Sequence, residues 1–176
     1  LVFYGGSILP GSHKGKDVTI QDVFEAVGAF QKGRIPAQEL KDLENNACPG
    51  PGACGGQFTA NTMAMALSFL GLSSMLANDI PADDPRKKSA ARNLGPLILK
   101  LWEDHICPRD FLTKSAFENA TSAVATTGGS TNAVLHLLAL AQEAGVDFDL
   151  DDFDAICAKT PIFVDLKPGG RFTAPD

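Results

Sequence analysis

Between Asn46 and Phe58 the chain reads Ala47-Cys48-Pro49-Gly50-Pro51-Gly52-Ala53-Cys54-Gly55-Gly56-Gln57, and this stretch constrains the fold more than any other. Proline removes a backbone donor and fixes φ, while glycine loses the most entropy in a regular element, so neither a helix nor a ladder strand fits. A shaped loop remains. Helical patterns flank it on both sides. Pro36 stands where a first helical residue would, and the helix it opens should run to about Asn46. After the loop, Thr59 or Asn61 can cap a helix whose Met63, Ala66, Leu67 and Leu70 share one face, with Gly71 as its stop. Met63 and Met65 read as core residues, not ligands.

The remaining punctuation is read in the same way. Leu1-Val2-Phe3-Tyr4 is an apolar run of strand type, followed by a long glycine-rich loop made of Gly5-Gly6-Ser7 and Pro10 through Lys16, in which His13, Lys14 and Lys16 either face an anion or are simply solvated. Thr19 with Asp22 resembles a capping arrangement. Val23, Phe24, Val27 and Phe30 then recur at helical spacing up to Gly33, which predicts a core-facing helix. Asp84-Pro85 opens a long helix with Ala90, Ala91, Leu94, Leu97, Ile98 and Leu101 on one face. Pro96 should kink or divide it, and Trp102 should pack at its end. Ser115 and Glu118 form an S-x-x-E box for a helix that Gly128 can end. Gly128-Gly129-Ser130-Thr131-Asn132 launches the next, which ends before Gly145 and carries His136, expected at a core or boundary position. Asp149 or Asp151 caps a short helix holding Cys157, and Ile162-Phe163-Val164 reads as one more buried strand.

Composition narrows the partners. With 44% hydrophobic residues in 176, the chain can bury a core, and length favours one domain or slightly more. The net charge of -6, without a basic block, argues against nucleic acid and anionic membranes. No apolar run approaches the roughly 20 residues that span a bilayer. Leu1 enters a strand-like run without a leader, and Asp176 follows Lys167-Pro168-Gly169-Gly170-Arg171 without a closing element, so an internal piece of a longer chain is expected. Four cysteines at these spacings match neither zinc knuckles nor a secreted disulfide scaffold, which favours a reducing, cytoplasmic setting. Cys107 and Cys157 are read as small buried hydrophobes.

Both glycine-rich loops end by launching a helix, whose first N–H groups are free and whose dipole favours negative charge. In the first loop the anion could be a thiolate, the form of cysteine that binds iron or zinc. In the second, Ser130, Thr131 and Asn132 either meet a substrate carboxylate or cap the helix. The spacing of Cys48 and Cys54 fits no ferredoxin run, so a complete cluster site is not expected here, although one ligand of a shared site is possible.

The run from Glu44 through Cys48-Pro49-Gly50-Pro51-Gly52-Ala53-Cys54-Gly55-Gly56-Gln57 to Met63 resembles the second cysteine motif of dihydroxy-acid dehydratases. Tyr4-Gly5-Gly6, Pro10-Gly11 through Lys16, Ala125 through His136 and Asp165 through Arg171 are similar to the same family, so the resemblance spans essentially the whole chain. It implies an α/β fold, with parallel strands flanked by helices. Residues 1–176 would form part of the N-terminal domain of a two-domain dehydratase whose C-terminal β-barrel-like domain lies outside this chain.

The resemblance further implies a 2Fe-2S cluster held by three cysteines, Cys48 among them, with a magnesium ion (Mg2+) nearby. The other two cysteines, the acidic magnesium ligands and the serine base would lie elsewhere, so no catalytic residue is assigned in this chain. Ser130, Thr131 and Asn132 are its candidate substrate-pocket loop. The implied reaction converts 2,3-dihydroxy-3-methyl acids to 2-oxo acids in valine and isoleucine biosynthesis, in a homodimer or higher homo-oligomer. A sister dehydratase acting on a sugar acid or phosphogluconate is the nearest alternative, and Cys48 with Cys54-Gly55-Gly56 looks more like the branched-chain enzyme. A non-catalytic thiol or zinc protein is the alternative of another class.

Overall fold

Helices carry the fold. The computed structural model describes all 176 residues: a hairpin of β1 (Gly11–His13) and β2 (Lys16–Val18), then α1 (Ile20–Gln31), α2 (Ala37–Asn46), α3 (Thr59–Phe69), α4 (Pro85–Glu103), α5 (Pro108–Phe111), α6 (Lys114–Thr126), α7 (Asn132–Ala144) and α8 (Leu150–Lys159). Most boundaries obey local chemistry. Thr19 N–H donates to Asp22 Oδ2 at 2.7 Å ahead of α1, and Asp84 and Asp149 accept from Arg86 N–H and Asp152 N–H ahead of α4 and α8. Gly33, Gly71, Gly128 and Gly145 follow helix ends with φ between 59° and 78°, a conformation that glycine adopts without a Cβ penalty.

The core is the meeting of α3, α6, α7 and α8. Leu70 at the C-terminal cap of α3, Phe117 of α6 and Leu137 of α7 are fully buried, and Phe148, Phe153 and Ile156 close the cluster from the α8 side. Phe117 stacks on Phe148 with centroids 5.6 Å apart. Burying each such side chain is worth about 1.5–3 kcal/mol, so these four helices form the rigid body on which the loops stand. Met63 and Met65 pack against it, as expected of core residues.

Several expectations are corrected. The only named strands are antiparallel, with Gly11 paired to Val18 and His13 to Lys16 across a Lys14-Gly15 turn, so the Pro10–Lys16 segment is a hairpin and not a long loop. Parallel pairing is confined to two single bridges, Ser7 with Ala53 and Leu166 with Phe172. Leu1–Tyr4 forms no ladder, because its partners are the Leu72 carbonyl, the Ser73 hydroxyl and the Asn78 side chain. Ile162–Val164 is exposed and irregular: Phe163 and Val164 N–H both point at the Thr126 carbonyl, closing the end of α6 instead of building a sheet.

Other corrections concern caps and faces. Phe58, not Thr59 or Asn61, occupies the cap position of α3. Thr113, whose Oγ1 accepts from Ala116 N–H at 3.2 Å, starts α6 two residues before Ser115. Pro96 leaves α4 unbroken, its missing donor falling opposite the exposed residue Arg92, where water can serve the free carbonyl. The apolar stripes of α1 and α4 are not core. Phe24 is 65% exposed and Trp102 76%, since α2 is the main helical neighbour of α1, and α4 fully buries no apolar residue. Cys107 and His136 are exposed as well, whereas Cys157 is half-buried against the core.

Candidate functional site

The cysteine loop is held at its centre and at its end. Ile8 N–H donates to the Ala53 carbonyl at 2.7 Å and Ala53 N–H to the Gly6 carbonyl at 3.0 Å, so the residue preceding Cys54 is locked to the 6–8 segment. Glycine makes this approach possible, because a Cβ at Gly52 (φ 129°) would meet Ile8 N at 2.5 Å. Gln57 N–H donates to the Lys167 carbonyl and Ala174 N–H to the Gly55 carbonyl, each at 2.6 Å, so the far end of the chain clamps the loop's exit.

Asn61 is the hub within. Its side-chain N–H2 donates to the carbonyls of Cys54 and Gly56 at 2.6 Å each, and its oxygen accepts from the Tyr4 hydroxyl at 2.6 Å. Burial of the phenol, and secondarily the charge available on Cys54, push the Tyr4 pKa up to about 12. Sequence reasoning missed both residues. Tyr4 read as a strand residue and Asn61 as a possible cap; only the long-range contact reveals their task.

The two cysteines differ. Cys48 follows the C-terminal cap of α2, where the helix presents carbonyls and the negative end of its dipole, an environment that opposes a thiolate. Although the residue is exposed, partial burial of its thiol pushes its pKa up, and the neighbouring Cys54 adds to the rise. Cys54 lies four residues ahead of Phe58, the cap residue of α3. No three His, Cys, Asp or Glu side chains gather anywhere in a metal-holding arrangement. Cys48 and Cys54 are nevertheless soft donors of the type that binds iron or zinc.

The second loop meets the first. Thr59 Oγ1 lies 3.3 Å from Ser130 Oγ, Asn132 Nδ2 donates to Thr59 Oγ1 at 2.8 Å, and Ser130 N–H donates to Thr62 Oγ1 at 3.0 Å. Thr131 occupies the cap position of α7 without a side-chain cap bond, while Ser130 Oγ accepts from Asn132 N–H at 3.3 Å. The N-termini of α3 and α7 are therefore laced together. Gly129 permits this closeness: a Cβ there would meet Thr62 Cγ2 at 2.8 Å. Beneath them, Gln57 Nε2 donates to Thr127 Oγ1 at 3.0 Å. A hollow lined by Tyr4, Gln57, Asn61, Asn78, Asp79 and Thr127 lies behind the cysteine loop. No helix is long and apolar enough to cross a membrane.

The profile of the family described as dihydroxy-acid/6-phosphogluconate dehydratase, N-terminal, matches residues 1–176. The chain is 57% identical over 173 residues to a dihydroxy-acid dehydratase of Roseiflexus sp. (strain RS-1), covering 98% of this chain and 31% of that protein. It is 56% identical over 174 residues to a dihydroxy-acid dehydratase of Thermus thermophilus, covering 99% and 31%. It is also 51% identical over 176 residues to that of Sulfurisphaera tokodaii, covering 100% and 31%. The chain thus spans about a third of the length of these relatives.

Proposed function

The chain belongs to the dihydroxy-acid/6-phosphogluconate dehydratase family, and from that premise we propose that it is part of a hydro-lyase converting 2,3-dihydroxy acids to 2-oxo acids. The observation that carries this reading is the 3.3 Å approach of Thr59 to Ser130, which sets a thiol-bearing loop and an anion-friendly loop side by side. In the full protein, residues 1–176 contribute to an N-terminal α/β domain, completed by parallel strands from chain outside this segment, with a C-terminal β-barrel-like domain beyond. The relatives above carry the name dihydroxy-acid dehydratase, which supports 2,3-dihydroxy-3-methyl acids of valine and isoleucine biosynthesis over a sugar acid or phosphogluconate. A cytoplasmic homo-oligomer is part of the same reading.

The residues divide the labour by chemistry. Ser130, Thr131 and Asn132, at the dipole-positive end of α7, hold the substrate carboxylate. A 2Fe-2S cluster, together with Mg2+, would supply Lewis acidity toward the substrate oxygens. This loop would contribute one thiolate to the cluster. The family resemblance gives that place to Cys48; a second reading, Cys54, is favoured by its position ahead of α3, whereas Cys48 sits at the unfavourable end of α2. Asn61 fixes the loop backbone in either case.

The test uses the full-length protein. Turnover of 2,3-dihydroxy-3-methylbutanoate to 3-methyl-2-oxobutanoate without an added electron donor is expected, because dehydration transfers no net electrons. Faster turnover of a sugar acid or 6-phosphogluconate would move the protein to the sister activity. A per-turnover requirement for an external donor would overturn the reading.

A further inference from the structure

An apolar groove of about 360 Å³ lies between α4 and the turn after α3, away from the cysteine loop. Leu72, Leu101, Trp102 and Phe111 form its walls, with Leu1 and Cys107 also in the lining. The side chains are costly to leave in water: Trp102 is 76% exposed and the adjacent Leu99 60%. α1 presents another apolar face, through Phe24 and Phe30, but nothing adjoining that face indicates its occupant.

Here the path of the backbone does indicate one. Tyr4 N–H is bonded to Asn78, and Val2 N–H to the Leu72 carbonyl at 2.7 Å, while Ser73 Oγ–H donates to the Val2 carbonyl at 2.8 Å. Followed backwards, the chain therefore runs from Asn78 toward the end of α3 and reaches the groove at Leu1. The relatives are about three times as long as the matched segment. We propose that the groove is the seat of the polypeptide immediately preceding Leu1 in the full-length protein, an apolar segment that continues the extended run of Leu1–Tyr4 and covers Trp102. This rests on the chain being part of a longer protein and not on the reaction assigned above.

Cys107 gives the groove a native reporter. In the full-length protein, a cysteine is introduced in turn at each of the four positions preceding Leu1 and oxidised with copper-phenanthroline, with Cys107→Ser as control. At least one position should form an intramolecular disulfide that the control abolishes. In the unsubstituted full-length protein, Cys107 should alkylate at least about tenfold more slowly than after urea unfolding, a reading independent of whether the variants fold. Crosslinking between subunits through Cys107 would assign the groove to a second copy and overturn the proposal. Alkylation at the unfolded rate would show an open groove and overturn it too. Protection of Cys107 without any crosslink, in variants that fold, would give the groove to another segment and overturn it as well.

Discussion

Tyr4 donates its phenolic hydrogen to Asn61 Oδ1 at 2.6 Å, which fixes the amide's orientation and commits both of its hydrogens to the carbonyls of Cys54 and Gly56. A residue at the start of the chain thereby sets the backbone of a loop some fifty residues on. The pair is a single device, since the phenol's one hydrogen-bond partner is the amide that holds the loop.

Removing the device in steps should show this coupling. Asn61→Ala deletes three hydrogen bonds at a buried position and is expected to cost about 2–4 kcal/mol, and Tyr4→Phe about 1 kcal/mol. In a double-mutant cycle by urea denaturation of the full-length protein, the two should be non-additive by at least about 0.5 kcal/mol. Strict additivity would mean that the phenol does not orient the amide.

Alkaline titration tests the same environment. The Tyr4 pKa, pushed by burial and then by Cys54 from 10.0 up to about 12, lies above its unfolded value, so folding favours the neutral phenol. Its contribution to stability is whole below pH 10.0 and is lost as pH rises through about 12. Tyr4→Phe should flatten the fall in stability across that window. The phenolate absorbance missing from the variant's difference spectrum should titrate near the upper limit, and Cys54→Ser should bring it down slightly. A Tyr4 transition at the ordinary value would contradict the burial.

The two cysteines should separate cleanly. In the reconstituted full-length protein, Cys54→Ser is expected to lose most cluster absorbance, iron and sulfide, because oxygen replaces a soft thiolate poised ahead of α3. Cys48→Ser is expected to retain the greater part. The reverse outcome in iron and sulfide analysis would return the ligand to Cys48.

Loop geometry makes a further demand at Gly52. An alanine there would place its Cβ 2.5 Å from Ile8 N at a φ of 129°, against backbone that cannot step aside. Gly52→Ala should cost about 3 kcal/mol or more and lower cluster occupancy, whereas Gly15→Ala, with open space around it, should cost only the milder strain of its φ. Equal effects, measured by thermal unfolding, would deny the loop its close packing on the 6–8 segment.

Helix punctuation was legible in the residues, and for a local reason. Gly33, Gly71, Gly128 and Gly145 mark helix ends by themselves, and Asp84 and Asp149 mark starts. The irregular cysteine loop was equally plain from its prolines and glycines. Periodicity located apolar faces without naming their occupants, so α1 and α4 read as core helices although this chain leaves their stripes bare. The apolar runs 1–4 and 162–164 suited strands, but a strand needs a neighbour, and each instead spends its bonds on a loop or a helix end. Within the candidate site, Ser130 and Asn132 were visible as loop residues. Their link to Thr59, like that of Tyr4 to Asn61, is long-range and carries no local signature.

The clamp of Lys167 and Ala174 on Gln57 and Gly55 imposes an order of events during synthesis. The cysteines leave the ribosome long before the residues that secure their loop, with a delay of roughly 6–25 s at ordinary elongation rates. Through that interval the thiols are displayed on a slack tether, open to adventitious metals and oxidants. On the proposed reading, iron delivery that waits for the clamp would find a shaped receptor, whereas earlier delivery would meet a flexible chelator with little power to choose its metal.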